Sequence, residues 1–139
     1  MFCVVDCETT GLDPERNALI SVAFIMKFNL DNDYVAMKQE FKMNPGDYEI
    51  DPKALAVNGY TEEEIRLWPD RQETINVIKD MLSHWSLPEG KFIPVGHNYK
   101  FDEGFLIQIL GPQFYRTHFD HNYLDTKVIA SYKNLLVKK

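Results

Sequence analysis

The 139-residue sequence contains only two cysteines, Cys3 and Cys7. If both lie on one extended strand, their Cα atoms are about 13 Å apart, whereas a disulfide requires less than about 7 Å. Neither cysteine has the spacing of a zinc site. We therefore expect two small core side chains in a reducing compartment.

Positive charge and long apolar runs are also scarce. The chain has 15 Lys and Arg against 21 Asp and Glu, which gives a net charge of −6. The protein therefore has no overall positive field to attract a polyanionic partner, which has to be held locally, as bound cations can do. The longest apolar stretch, Ala18 to Met26, is too short to cross a bilayer, and we expect no membrane partner. No charged-then-apolar signal opens the chain, which favours a cytoplasmic location. Length and apolar content fit a single domain over residues 1–139.

The stretch Val4 to Leu12 places two carboxylates at the end of an apolar run. Phe2 to Val5 predicts a buried strand that stops just past Asp6. Because side chains alternate along a strand, Asp6 and Glu8 leave one face and Cys7 the other, with the acidic Cα atoms roughly 6 to 7 Å apart. Carboxylates so spaced can converge on the cations of a two-metal site, although two solvated acids at a strand end are the simpler alternative.

Beside these acids, Thr9-Thr10-Gly11 offers two hydroxyls and close backbone approach, which suit a phosphate or sugar end. A second stretch of interest, Gly96 to Leu106, runs from a predicted strand into a helix. Asp102 lies one position off the apolar face of that helix, near its start, so it can point back toward the strand ends. The helix dipole alone would also favour an acid there.

The remaining pattern predicts an antiparallel hairpin followed by alternating helices and strands. The hairpin strands are Ala18 to Phe28 and Val35 to Met43. Pro94 in the later strand indicates an edge position or a missing ladder bond. The other predicted elements are helices from Pro52 to Val57, from the Thr61 capping box to Trp68, and from Gln72 to Trp85, a strand from Phe92 to Val95, a helix ending at Leu110, a loop from Gln113 to Asn122, and a last helix from Lys127 to Val137.

Two motifs, V-V-D-C-E-T-T-G-L at Val4 to Leu12 and G-H-N-Y-K-F-D-E-G-F-L at Gly96 to Leu106, resemble the first and second motifs of the DnaQ-like (DEDDh) 3′-to-5′ exonucleases. Asp51 to Thr61 also resembles a helix-turn segment of that family, so the resemblance spans Val4 to about Thr126. It implies an α/β, ribonuclease H-like fold with a mixed five-stranded sheet flanked by helices. It also implies hydrolysis of terminal phosphodiesters of DNA or RNA to nucleoside monophosphates.

The resemblance assigns roles to nine residues of this sequence. It implies that Asp6, Glu8 and Asp102 are the catalytic, metal-binding carboxylates, holding two Mg²⁺ or Mn²⁺ ions. It implies that Leu12 wedges against the terminal base. It implies that the partner is a nucleic acid 3′ end, with a polymerase or a second subunit as a further candidate. The implied substrate-binding residues are Thr9, Thr10, Gly11, Leu12, Asn98 and Phe101.

The family pattern continues, some tens of residues past the Asp-Thr that Asp125-Thr126 resembles, to a His-x-x-x-x-Asp motif that supplies a general base and a fourth acid. This sequence ends before such a motif. His121 and Asp125 are the nearest substitute, but their spacing is one residue short, and we interpret them as a loop histidine and a helix cap. His118 is a weaker candidate, and His97 is interpreted as a strand-end residue.

Three explanations of this departure stay open. The chain is a fragment whose C-terminal part is missing, the missing groups come from another subunit, or the fold is a catalytically silent nucleic-acid-binding or assembly module. We expect the first, because the predicted last helix ends without a stop signal. General-base assistance alone is worth about 10² to 10⁴ in rate, so a chain without it is expected to lose most of its activity.

Overall fold

The first three strands form an antiparallel meander, as the sequence pattern predicts. In the computed structural model, which describes residues 1–88 and 90–127, they are β1 (Phe2–Thr9), β2 (Leu19–Lys27) and β3 (Met37–Lys42). Each pairs antiparallel with the next. β1 continues beyond its predicted end because its pairing with β2 persists in one register as far as Glu8, opposite Ser21, and then, after a register shift, to Thr9, opposite Leu19.

Three helices follow, and local capping explains their ends. They are α1 (Pro52–Asn58), α2 (Glu62–Arg66) and α3 (Arg71–Trp85). Asp51 caps α1, and Gly59, at φ 79°, ends it in a left-handed conformation that glycine adopts at little cost. The predicted capping box at the start of α2 is confirmed.

The sheet is completed by two parallel strands, β4 (Ile93–Gly96) and β5 (Leu124–Asp125). The strand order β3-β2-β1-β4-β5 places β4 inside the sheet, so the edge interpretation of Pro94 is wrong. The N–H of Ile93 donates to Met1 on the β1 side at 3.0 Å. Because successive N–H groups alternate in direction, the N–H that Pro94 lacks would face β5, with which registered pairing starts only at Val95.

Two consecutive helices, α4 (Tyr99–Leu110) and α5 (Pro112–His118), lie between β4 and β5. The prediction of a loop from Gln113 to Asn122 is wrong as far as His118, because these residues belong to α5. Gly111, at φ 83°, ends α4, and Pro112 then occupies the first position of α5, where its missing N–H costs nothing. Tyr115 is buried and stacks on Phe119 with ring centroids 4.9 Å apart. The predicted last helix lies outside the described residues except for its first residue, Lys127.

The hydrophobic core lies between one face of the sheet and helices α3 and α4. This packing leaves the alternate side chains of β1, including Asp6 and Glu8, on the opposite face. Among the described residues, no helix has both the length and the apolar character that crossing a membrane requires. The core side chains include Cys3, Val5, Val22, Phe24, Ile75, Ile78, Leu82, Phe105, Leu106 and Ile109.

Candidate active site

The first two predicted site residues lie at the end of β1. Asp6 is opposite Ala23 and Glu8 is opposite Ser21, so small side chains on β2 flank both carboxylates. Asp6 is exposed and Glu8 is partly exposed. Cys7, between them, packs against the core on the other face. The strand therefore presents two adjacent acids to solvent at one point of the sheet.

The third acid arrives from α4. Asp102 lies in the first turn of this helix and is only 6% exposed. Its carboxylate accepts a hydrogen bond from the backbone N–H of Cys7, although burial and the negative charges of Asp6 and Glu8 together raise its pKa to about 7. The structure thus brings together three carboxylates that the sequence separates by almost a hundred residues.

A fourth carboxylate, Glu40, was missed by sequence reasoning. It lies on β3 opposite Ala23, and it accepts a hydrogen bond from the Ser21 hydroxyl at 3.4 Å. Burial raises the pKa of Glu8, and repulsion from Asp6 and from Glu40 raises it further. No spacing in the sequence connects Glu40 to Glu8, because the two residues approach only through the pairing of three strands.

The donor set is suited to hard divalent cations. Carboxylate oxygens are the ligands that Mg²⁺ and Mn²⁺ favour, and a cation would relieve the repulsion that raises the pKa of Asp102. Among the described residues, no three His, Cys, Asp or Glu side chains are placed to hold a metal ion by themselves. Mg²⁺ is usually held by one or two carboxylates, waters and substrate phosphates rather than by a complete protein cage. The residues present therefore fit cations that a phosphate helps to hold.

The two threonines after the acids use their hydroxyls inside the protein. The hydroxyl of Thr10 donates to the carbonyl of Glu49 at 2.7 Å and accepts from the N–H of Ala18 at 2.8 Å. The hydroxyl of Thr9 donates to the carbonyl of Gly11 at 2.7 Å. Both threonine side chains are buried. Their hydrogen bonds fix the shape of the loop.

The loop then turns outward at Leu12, which is 81% exposed and available for contact with a ligand. Gly11 permits this turn because a Cβ at this position would collide with the side chain of Asn17. Asn58, at the end of α1, donates from Nδ2 to the carbonyl of Thr9 at 2.9 Å and so connects α1 to the same loop. Sequence reasoning missed Asn58, which stands in the helix-turn segment but carries no signal of this contact.

Asn98 and Phe101 lie at the start of α4, in the same turn as Asp102. Asn98 is exposed and has a left-handed backbone, at φ 58°. Its N–H donates to the carboxylate of Asp125 at 3.0 Å, and the N–H of Tyr99 donates to the same group at 3.3 Å. Phe101 is partly exposed beside this turn. The predicted cap residue Asp125 therefore also secures the helix start that carries Asp102.

The histidines that the sequence offered as substitutes for a missing base occupy different places. His121 is exposed and lies 3.3 Å from Asp120. His118 lies 3.0 Å from the carbonyl of Phe114 in its own helix. His97 is exposed and lies directly after β4, as its interpretation as a strand-end residue predicts, and its Nδ1 is 3.3 Å from the hydroxyl of Thr126.

Comparison with known families gives one match that covers almost the whole chain. The family model RNase_T, described as Exonuclease, matches residues 3–137. Ribonuclease T of Blochmanniella pennsylvanica is 34% identical over 113 residues, covering 75% of this chain and 51% of that protein. The PolC-type DNA polymerase III of Listeria monocytogenes is 29% identical over 105 residues, covering 76% of this chain and 6% of that protein. The chain thus spans about half of the first relative and a small part of the second.

Solved structures of Exonuclease I from E. coli have a similar fold. The complex with a dT13 oligonucleotide superposes with a TM-score of 0.71 at 21% identity, covering 89% of this chain and 27% of that chain. The zinc-ion-bound form of the complex with single-stranded DNA gives a TM-score of 0.70 at 19% identity, with the same coverage. At this identity the similarity establishes the ribonuclease H-like fold.

Proposed function

Since the chain belongs to the exonuclease family, we propose that it is a metal-dependent 3′-to-5′ exonuclease domain that hydrolyses terminal phosphodiesters of DNA or RNA to nucleoside monophosphates. The observation that carries this proposal is the position of Asp102. Its carboxylate reaches the backbone of Cys7, between Asp6 and Glu8, and the negative charges of these two acids raise its pKa. A buried acid held against two others is costly for a fold without a cation to neutralise it.

In this proposal Asp6, Glu8 and Asp102 hold two divalent cations, Mg²⁺ or Mn²⁺. When bound, these ions would lower the pKa of the attacking water and stabilise the charge that develops on the transferred phosphate. The chain's own part is to fix three carboxylates on two rigid elements, β1 and α4. The zinc-bound form of Exonuclease I supports a metal site on this fold.

The 3′-terminal nucleotide is proposed to lie against the loop from Thr9 to Leu12 and the first turn of α4. Leu12 supplies an exposed apolar surface for the terminal base, and Phe101 and Asn98 flank it from the helix. Because both threonine hydroxyls are buried and hydrogen-bonded within the protein, their burial supports a contact that the loop makes through its backbone and Leu12. The complex of Exonuclease I with an oligonucleotide supports a nucleic acid as substrate.

A polymerase is a further proposed partner. The support is the similarity of this chain to a segment that makes up 6% of a PolC-type DNA polymerase III. A second subunit that supplies a general base is the other arrangement that fits the acids described here. Either partner would add groups to the site from outside the described residues.

The test is degradation of 5′-labelled oligonucleotides under single-turnover conditions with Mg²⁺ or Mn²⁺. DNA and RNA of the same sequence form separate arms, each as single strand and duplex. We expect stepwise shortening from the 3′ end, abolished by EDTA, by Asp6→Asn and by Asp102→Asn. Asp80→Asn on the exposed side of α3 is the matched control and should retain full activity.

Two results would contradict the proposal. One is shortening that persists unchanged in Asp6→Asn and Asp102→Asn, which would assign the activity to a contaminant. The other is binding of the labelled strand without any shortening in either metal, which would make the chain a binding or assembly module on the same fold. Identification of nucleoside monophosphates as products would exclude that second reading.

A further inference from the structure

The side chain of Gln108 on α4 uses all four hydrogen bonds available to a primary amide. Its Nε2 donates to the carbonyls of Pro14 and Asn17, each at 2.6 Å. Its Oε1 accepts from the N–H of Leu19 at 3.0 Å and from the guanidinium of Arg71 at 2.5 Å. One side chain thus joins α4 to the loop after Leu12, to β2 and to α3.

The contact with Leu19 falls at an irregular point of the sheet. The β1–β2 register shifts between Glu8 and Thr9, where Leu19 is paired. At this bulge the N–H of Leu19 is bound by Gln108, and its carbonyl accepts from Arg71 at 2.6 Å. The extra residue of this bulge is Ile20 on β2, and the shift directly follows Glu8 on β1. Bulges are frequent next to functional sites, where they change the direction of a strand.

Asp102 lies on the same helix, six residues or about 9 Å before Gln108. Between them, Gly104 lies so close to the loop that a Cβ would be 3.2 Å from Cγ of Pro14. Because a helix moves as a rigid unit over two turns, a displacement at one end reaches the other. The contacts of Gln108 therefore help to fix the distance between Asp102 and the acids of β1.

We infer that Gln108 is a positioning residue, which holds α4 so that Asp102 stays against the β1 acids and holds the loop that presents Leu12. This inference rests on the proposed function of the site and adds a residue that lies outside both sequence motifs. Gln108 contacts neither the acids nor a substrate directly. It acts through the helix on one side and through the loop on the other.

The test replaces Gln108 by Met, which keeps the length of the side chain and removes all four hydrogen bonds. We expect Mn²⁺ binding to the intact protein, measured by electron paramagnetic resonance of the free ion, to weaken about tenfold, as do changes in groups that orient metal ligands. The kcat on a labelled oligonucleotide should fall by about the same factor. Mn²⁺ binding is a readout that does not depend on turnover.

Two controls separate positioning from general stability. Gln72→Met removes an exposed amide of α3 whose hydrogen bond to Asn76 is 3.0 Å long. Ile78→Val trims one methyl group from the buried face of the same helix. Both variants should bind Mn²⁺ with the wild-type Kd once the folded fraction is taken into account.

A second variant, Gln108→Glu, distinguishes the two arms of the contact. It keeps an acceptor for Leu19 and Arg71 but turns an oxygen toward the carbonyls of Pro14 and Asn17. We expect Mn²⁺ affinity within about twofold of wild type and a KM for the oligonucleotide raised severalfold, since the loop alone is released. A general loss of stability would not raise the KM while leaving the Mn²⁺ affinity unchanged.

The outcomes are distinct for the two proposals. Wild-type Mn²⁺ affinity and kcat in a folded Gln108→Met protein, with both lost in Asp102→Asn, would overturn the inference and leave the proposed function standing. Unchanged Mn²⁺ affinity and degradation in Asp102→Asn would overturn the proposed function, and the inference with it. Should Gln108→Met fail to fold, a Gln108→Glu protein with wild-type KM would overturn the inference.

Discussion

The backbone N–H of Cys7 donates a hydrogen bond to the carboxylate of Asp102. Cys7 is the strand residue between Asp6 and Glu8, so the contact ties the helical acid to the middle of the acidic pair. The hydrogen bond favours the charged form of Asp102, but burial and the two neighbouring charges oppose it more strongly. The fold thus holds an acid in a place where its ionisation is unfavourable, and three consequences can be measured.

The stability of the metal-free protein should fall as the pH rises from about 4 to about 7. Asp102 has an ordinary pKa of 3.8 and a folded pKa of about 7, so the folded state binds the extra proton in this window. The stabilisation is complete below the unfolded pKa and is lost as pH passes the folded pKa. A shift of the pKa from 3.8 to about 7 corresponds to about 4 kcal/mol in the free energy of unfolding. Urea unfolding in EDTA at pH 5 and pH 8 covers about two pH units of this window and should therefore show a loss of about 3 kcal/mol.

Asp102→Asn should flatten this pH dependence, because the amide neither ionises nor repels Asp6 and Glu8. At pH 8 without metal, the variant should be more stable than the wild type by a few kcal/mol. Asp80→Asn, on the exposed side of α3, should leave the pH profile unchanged. A wild-type profile in Asp102→Asn would show that the titration belongs to another group.

Mn²⁺ binding should depend on pH in the opposite sense. The ion needs the charged carboxylate, so the apparent affinity should rise by up to about tenfold per pH unit below pH 7 and level off above it. Saturating Mn²⁺ should consequently raise the unfolding midpoint more at pH 8 than at pH 5, and EDTA should reverse the gain. Calorimetric titration in buffers of different ionisation enthalpy would detect the released proton. A Mn²⁺ affinity that does not change with pH would show that the Asp102 carboxylate does not bind the ion.

Short-range patterns in the sequence predict the acids, because each depends on local geometry. Strand alternation places Asp6 and Glu8 on one face, and an acid in the first turn of a helix faces the strand ends, as Asp102 does. The hairpin and the capped helices follow from the same local rules. These parts of the fold were predicted because neighbours along the chain determine them.

The features that sequence reasoning missed depend on contacts between distant segments. Glu40 reaches Glu8 only through strand pairing, and Gln108 reaches the loop only through helix packing. The interior position of Pro94 was missed because it depends on the length of β5. A proline, which has no N–H, is tolerated inside the sheet here because β5 pairs with β4 only from Val95 onward. Helix α5 was missed because a proline just after a predicted helix end, here Pro112, usually indicates a stop, although proline also begins helices.

Leu12→Ala tests the proposed contact with the terminal base. Leu12 is 81% exposed, so its truncation should change the free energy of unfolding by less than about 0.5 kcal/mol. The KM for an oligonucleotide should nevertheless rise about tenfold, because stacking against a base is worth roughly 1 to 3 kcal/mol. Leu67→Ala, equally exposed at 87% and beyond the end of α2, is the control and should affect neither quantity. Equal KM values for both variants would remove Leu12 from the substrate site.

Thr10→Val tests whether the threonine after the acids acts on the fold or on the substrate. Valine has nearly the same shape but leaves the N–H of Ala18 without the Thr10 hydroxyl and removes one of two hydrogen bonds to the carbonyl of Glu49, which also accepts from Asn17, at a cost of about 1 to 3 kcal/mol in the free energy of unfolding. Thr117→Val, an exposed position, should cost less than about 0.5 kcal/mol. We expect the folded Thr10→Val protein to keep its KM for the oligonucleotide, since the hydroxyl faces the interior. A raised KM with unchanged stability would instead assign the hydroxyl to the nucleotide.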